Sequence, residues 1–348
     1  MTSVRAQRDG KIELVRFLAA LSIAMYHFEW IYIGHPVLLQ HFYIWVELFF
    51  LISGFFLYFS MDNEDRKGEY RSSSFGYVFS QLKKIYPLYL TGFLFTYVVT
   101  NMVEQLPLGQ WAAALWGAKW EILLGVMYGF GGSVYNKGGA PEQISALLLG
   151  SLILHFLITR HRPVFVNVIA PLTVIIGFGR IINIYGNMSQ WMAFDGYINI
   201  GLLRGVADMC AGALCAAVLL PFFRKIKQRR VIVAGVIIPC IFIVFLIWGR
   251  DFISSYDLIL YVFLFGFLIT ALYAWQLRVP ERINVMMLYL GRLSYPLFLF
   301  HYGMLILLKN YWPGVRYRYG AMMFLFMTLS TAAVILYLQR KVKCLIEE

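Results

Sequence analysis

The stretch IELVRFLAALSIAMYHFEWIYI, Ile12–Ile33, decides the fold. A helix rises about 1.5 Å per residue and the bilayer hydrocarbon is about 30 Å thick, so a run of this length can cross it. No small-residue cleavage pattern follows a short apolar core here, so the run reads as a retained helix rather than a secretion signal. Comparable runs recur near 40–60, 77–101, 143–159, 164–184, 198–220, 231–249, 257–277, 284–308 and 320–339. With the first, that makes ten expected spans.

Composition supports the same class. Of 348 residues, 60% are apolar and 14% charged, against about 45–50% and about 25% in ordinary globular chains. So much apolar surface cannot hide in a water-soluble core, which excludes a soluble enzyme, a disordered chain and a disulfide scaffold. The expectation is an all-α, polytopic integral membrane protein: one transmembrane domain over 1–339 and a short tail over 340–348. The net charge of +12 does not point to nucleic acid, because the basic residues fall in short clusters between apolar runs. There they mark cytoplasmic loops facing anionic lipid. Cys210, Cys215, Cys240 and Cys344 form no close pair, so neither a metal site nor a disulfide framework is expected. Nothing in the sequence sets an oligomeric state.

The stretch 111–130 is interrupted by Lys119 and Glu121 and ends in Gly125, Gly129, Gly131 and Gly132. If it does not cross, twenty basic residues fall on one side of the membrane and six on the other. That is a clear positive-inside bias with both termini cytoplasmic. Residues 111–142 are therefore expected to form an external re-entrant or interfacial segment, tolerated at depth only where other helices shield its backbone. No internal repeat favours a duplicated transporter.

Charged groups at bilayer depth are costly and call for a reason. Arg16 and His27 lie eleven residues apart, about three turns, so they share one helix face roughly 16 Å apart. Glu13, one turn before Arg16, can pair with it. In the sixth run Arg204 and Asp208 are spaced for an i,i+4 ion pair, and Arg180 closes the fifth where its long side chain can snorkel to water.

Residues 11–27, KIELVRFLAALSIAMYH, resemble the opening helix of the membrane acyltransferase 3 family, with Glu13 where Asp is usual. Val46-Glu47-Leu48-Phe49-Phe50-Leu51-Ile52-Ser53-Gly54-Phe55 is similar to that family's V-D-L-F-F-x-x-S-G-F block. Lys83-Lys84-Ile85-Tyr86-Pro87-Leu88-Tyr89 resembles its basic third-helix entry, and Gly291-Arg292-Leu293-Ser294-Tyr295 through His301 its late G-[KR]-x-S-Y block. Two departures stand out. Gln81 and Lys84 replace the Arg-x-x-Arg pair of many members, and Pro141-Glu142-Gln143-Ile144-Ser145 replaces a Trp-x-x-Ser-x-Glu segment.

The resemblance implies transfer of an acyl group, usually acetyl, from cytoplasmic acyl-CoA to a hydroxyl of an extracytoplasmic carbohydrate at a bacterial cytoplasmic membrane. Acetyl-CoA or another acyl-CoA is then a donor substrate, with no permanently bound cofactor or metal. The expected catalytic residues are His27, Arg16 and Glu47, with Glu47 orienting His27 or pairing with Arg16. Imidazole titrates near neutrality, which suits His27 to act as general base or acyl carrier. Arg16, Lys83, Lys84 and Arg292 are expected on the donor. Glu13, Ser145, Ser294, Tyr295 and His301 are expected on the acceptor or behind the catalytic groups. The competing reading is a transporter or flippase of a lipid-linked or small polar solute, its pathway lined by the same intramembrane charges.

Overall fold

Asp9 opens the first helix: its side chain accepts the Lys11 N–H at 2.9 Å, capping an otherwise orphan donor. Helix α1, Gly10–Phe28, continues through a π-helical turn, Glu29–Ile33, and stops at Gly34, whose φ of 93° suits glycine. The computed structural model describes residues 9–67, 73–125, 134–135, 140–188, 193–226, 229–248, 256–275 and 279–347. Gly129, Gly131 and Gly132 lie outside them, as do Arg5, Arg8, Arg71, Lys137, Lys227, Arg250 and Arg278 among the basic residues counted above.

The remaining helices are α2 (Trp45–Lys67), α3 (Ser74–Val103), α4 (Leu108–Gly117), α5 (Lys119–Ile122), α6 (Ala140–Val164), α7 (Ala170–Tyr185), α8 (Ile200–Leu214), α9 (Leu220–Lys225), α10 (Arg229–Trp248), α11 (Leu258–Ala274), α12 (Glu281–Tyr311) and α13 (Tyr317–Glu347). A two-stranded hairpin, Phe194–Asp195 with Ile198–Asn199, is the strand pairing among the described residues. Helix α13 carries on through most of the expected tail.

Among the described residues, six stretches are long and apolar enough to cross a membrane: Gly10–Ile33, Phe42–Asp65, Ala140–Tyr185, Ile200–Lys225, Glu281–Tyr311 and Tyr317–Lys341. The expected count of ten differs for identifiable reasons. Helix α3 is long enough, but tyrosines, threonines and Lys83-Lys84 lower its hydropathy. The apolar parts of α10 and α11, Arg230–Leu246 and Leu258–Ala274, are short. Ala140–Tyr185 is not one straight rod. Gly150 of α6 packs on Val206 and Met209, and Gly177 of α7 packs on Leu203 and Ala207, the same stretch of α8. A straight helix would put those glycines about 40 Å apart. The chain turns back at His161, whose φ of −140° and ψ of 47° are non-helical.

Helix α4 has ten residues, about 15 Å of rise and half a bilayer. The segment after it is stitched to the bundle. Tyr86 and Tyr89 of α3 donate to the Ile122 and Glu121 carbonyls at 3.0 and 2.6 Å, and Ser145 of α6 donates to the Leu124 carbonyl at 2.7 Å. Side chains of α3 and α6 thus bond carbonyls of the single-turn α5 and of Leu124 just after it.

Two close helix contacts position the site. Helices α1 and α12 run in parallel: Gly10 faces Asn284, and a Cβ on Gly291 would meet the Glu13 side chain and lie 3.0 Å from its Cα. Helices α2 and α8 meet as closely at Gly54 and Gly212, where a Cβ would come within 2.6 Å of the Met209 Cα and 2.8 Å of the Leu51 carbonyl carbon. Small residues allow such backbone approach, the main way helices gain packing energy in lipid.

Candidate active site

The parallel run of α1 beside α12 brings two histidines together. His27 Nδ1 lies 2.7 Å from His301 Nε2, with the rings nearly parallel at 6°. His301 Nδ1 lies 2.7 Å from the Phe298 carbonyl oxygen. A carbonyl only accepts, so His301 carries its proton on Nδ1, and its Nε2 is an acceptor in the neutral ring. His27 then donates from Nδ1, which leaves the lone pair of His27 Nε2 uncommitted. The tautomers follow from this bonding logic, as is usual for histidine. His301 is buried, whereas His27 is only half-buried.

Three turns before His27, Arg16 enters the wall of a cavity of about 620 Å³ between α1, α2, α3, α6, α12 and α13. Lys84 and Arg292 also line it, with Gln81, Ser294 and Tyr295. Arg16 is held by Glu13, Nη1 to Oε1 at 3.2 Å. Ser294 donates to the Gly291 carbonyl at 2.7 Å, and Tyr295 donates to the Ile85 carbonyl at 3.0 Å, tying α12 to α3. Neither histidine is in the cavity wall. Phe298 is, and its ring stands 5.9 Å from His301 and 6.4 Å from Phe49 across the cavity. The cavity therefore ends one residue layer short of the histidine pair.

A family model described as an acyltransferase domain (Acyl_transf_3) matches residues 9–339. The chain belongs to the membrane acyltransferase 3 family. No curated protein and no solved structure matches it. The matched region contains both helices of the histidine pair and every residue lining the cavity.

Within this acyltransferase the expected residues separate into groups. Arg16, Lys84, Arg292, Ser294 and Tyr295 share the cavity, while His27 and His301 form the pair beyond it. Lys83 stands apart: like Lys84 it is exposed, but its ammonium lies 4.5 Å from the Phe79 ring centre and it is not in the cavity wall. At consecutive helical positions only one of the two lysines can face inward. Ser145 is buried and directs its hydroxyl at the Pro141 and Leu124 carbonyls, away from the cavity lining.

Glu47 was expected to orient His27 or pair with Arg16. Instead its carboxylate meets Arg204 Nε at 3.0 Å, so the anticipated Arg204–Asp208 pair is replaced by a contact between α8 and α2. Arg180 does not simply snorkel: it grips Asp195 of the hairpin with two hydrogen bonds, at 2.7 and 3.0 Å. Sequence reasoning placed His301 with the acceptor and missed it as the direct partner of His27. The available signal was their similar expected depth. Gln339 and Ser60, two further polar groups in the cavity wall, carried no motif.

Proposed function

We propose that this acyltransferase moves an acyl group, acetyl by family habit, from cytoplasmic acyl-CoA to a carbohydrate hydroxyl on the far side of a bacterial cytoplasmic membrane. The carrying observation is the uncommitted Nε2 of His27 above a cavity lined by three cations. In this reading Arg16, Lys84 and Arg292 receive the phosphates of the donor, and the pantetheine arm rises toward Phe49 and Phe298. The acceptor hydroxyl arrives at the exposed side of His27. Nε2 takes its proton as the oxygen attacks the thioester carbonyl. His301 accepts the Nδ1–H of His27, which stabilises the imidazolium, and the Phe298 carbonyl holds His301 in the matching tautomer. Collapse of the tetrahedral intermediate expels CoA thiolate, which takes the proton from Nε2.

The same reading sets the topology. Counting α6 and α7 separately and adding α3, α10 and α11 gives ten crossings, with both termini cytoplasmic and α4–α5 on the outer face. Single cysteines at Asn63, Lys119 and Tyr197 in a cysteine-free background test it with an impermeant label on intact cells. Labelling at 119 and 197 alone is expected; labelling at 63 would overturn the map.

The activity test uses purified protein in nanodiscs, acetyl-CoA and a soluble oligosaccharide panel, reading thiol release and acetylated product. A transporter releases no thiol under those conditions. Mass spectrometry of surface glycans with and without the gene identifies the acceptor.

A further inference from the structure

Where α2 crosses α8, two carboxyls face one guanidinium. Glu47 and Asp208 are fully buried and Arg204 nearly so. Arg204 Nε stands 3.0 Å from Glu47 Oε1, an ion-pair contact, and Nη1 donates to the Met188 carbonyl. Asp208 lies one turn after Arg204 on α8, next to Met209 and one turn before Gly212, which meet Gly54 and Leu51 of α2, and among the described residues no donor bonds either oxygen of Asp208 or of Glu47. Tyr43, just ahead of α2, and Cys210 on α8 are the other titratable groups nearby.

Charge counting identifies the difficulty. Two carboxylates against one guanidinium leave one uncompensated negative charge inside the membrane, where an unpaired ion is strongly disfavoured. Two ionised carboxylates also repel and offer each other no hydrogen. The backbone contacts at Gly54 and Gly212 keep the helices from separating to relieve this. One added proton removes the excess charge and supplies the missing donor, as in other close carboxyl dyads.

We propose that Glu47 and Asp208 share a single proton, which makes the α2–α8 contact a proton-binding site within the membrane. Arg204 holds Glu47 as the carboxylate, and the proton resides on Asp208, which donates to Glu47. The site is separate from the histidine pair and does not depend on the acyl-transfer chemistry.

Infrared difference spectroscopy of the full-length protein in nanodiscs at neutral pH tests it, reading the C=O stretch of protonated carboxyls and its shift in heavy water. Asp208→Asn should lose the signal of one protonated carboxyl. Glu47→Gln should lose it too, because Asp208 is then free to ionise against Arg204. An unchanged signal in Asp208→Asn overturns the proposal, since both groups are then ionised. Loss in Asp208→Asn with retention in Glu47→Gln also overturns it, since Asp208 is then a neutral acid on its own account. Asparagine copies the shape and the donor of a protonated aspartate, so Asp208→Asn should insert and melt like the wild type. Failure of that variant to fold counts against the shared proton as well.

Discussion

Removing the acceptor that His301 offers to His27 gives the most direct test of the active-site reading. His301→Leu leaves the His27 Nδ1–H, now bonded at 2.7 Å, without a partner and lets the ring tautomerise. Leaving a buried donor unsatisfied costs about 1–3 kcal/mol. At about 1.36 kcal/mol per tenfold, that corresponds to roughly a 5- to 150-fold loss in turnover. His301→Gln retains an amide oxygen as acceptor and should recover part of it. His27→Ala removes the base itself and should cost about 10²–10⁴-fold. The assay is acetyl transfer per folded molecule, normalised by size-exclusion profile and acyl-CoA binding. The expected order of damage is His27→Ala, then His301→Leu, then His301→Gln. Wild-type turnover in well-folded His301→Leu would refute the dyad, and wild-type turnover in His27→Ala would refute the base.

Three other outcomes follow from the packing and the charges. Arg16→Ala and Arg292→Ala should each raise the KM for acyl-CoA, whereas Lys83→Ala should leave it near wild type; an equal rise in all three would mean that the cavity is not the donor site. Gly291→Ala drives a methyl into Glu13 and should destabilise by about 1–3 kcal/mol, the usual cost of overpacking, seen as a lowered Tm; an unchanged Tm would show that α1 and α12 are looser than described. The Arg180 hydrogen bond holds the Asp195 carboxyl below its usual range. A depressed value means that this contact contributes above the ordinary carboxylate pKa and is lost as pH falls through the lowered one. Hydrogen exchange at 194–199 should therefore quicken only in strong acid, and Asp195→Asn should exchange fast at every pH.

The helices were legible because lipid demands long apolar runs, and each expected span near 12–33, 40–60, 143–159, 164–184 and 198–220 lies on a described helix. The reversal at His161 was legible for the same reason: Arg160 and Arg162 interrupt the hydropathy where the backbone turns. Partners were harder to read. Spacing along one helix favoured Arg204 with Asp208, yet Glu47, distant in sequence, won because α2 and α8 touch at glycines. His27 and His301 stood out individually, but no periodicity says that α1 lies beside α12. Lys83 and Lys84 looked equivalent as charge, and only helix phase separates them.

The histidine pair joins residues 274 positions apart, which gives the acyltransferase a birth order. Ribosomes add about 5–20 residues per second, so α1 waits roughly 15–55 s in the bilayer before the His301 region is made. Throughout that interval the first helix has no α12 to shelter its charges. The Glu13–Arg16 bridge, one turn long and internal to α1, balances those two charges from the moment the helix forms. A pair that braces Arg16 in the wall of the finished cavity is, during synthesis, a local charge pair that needs no other helix to form.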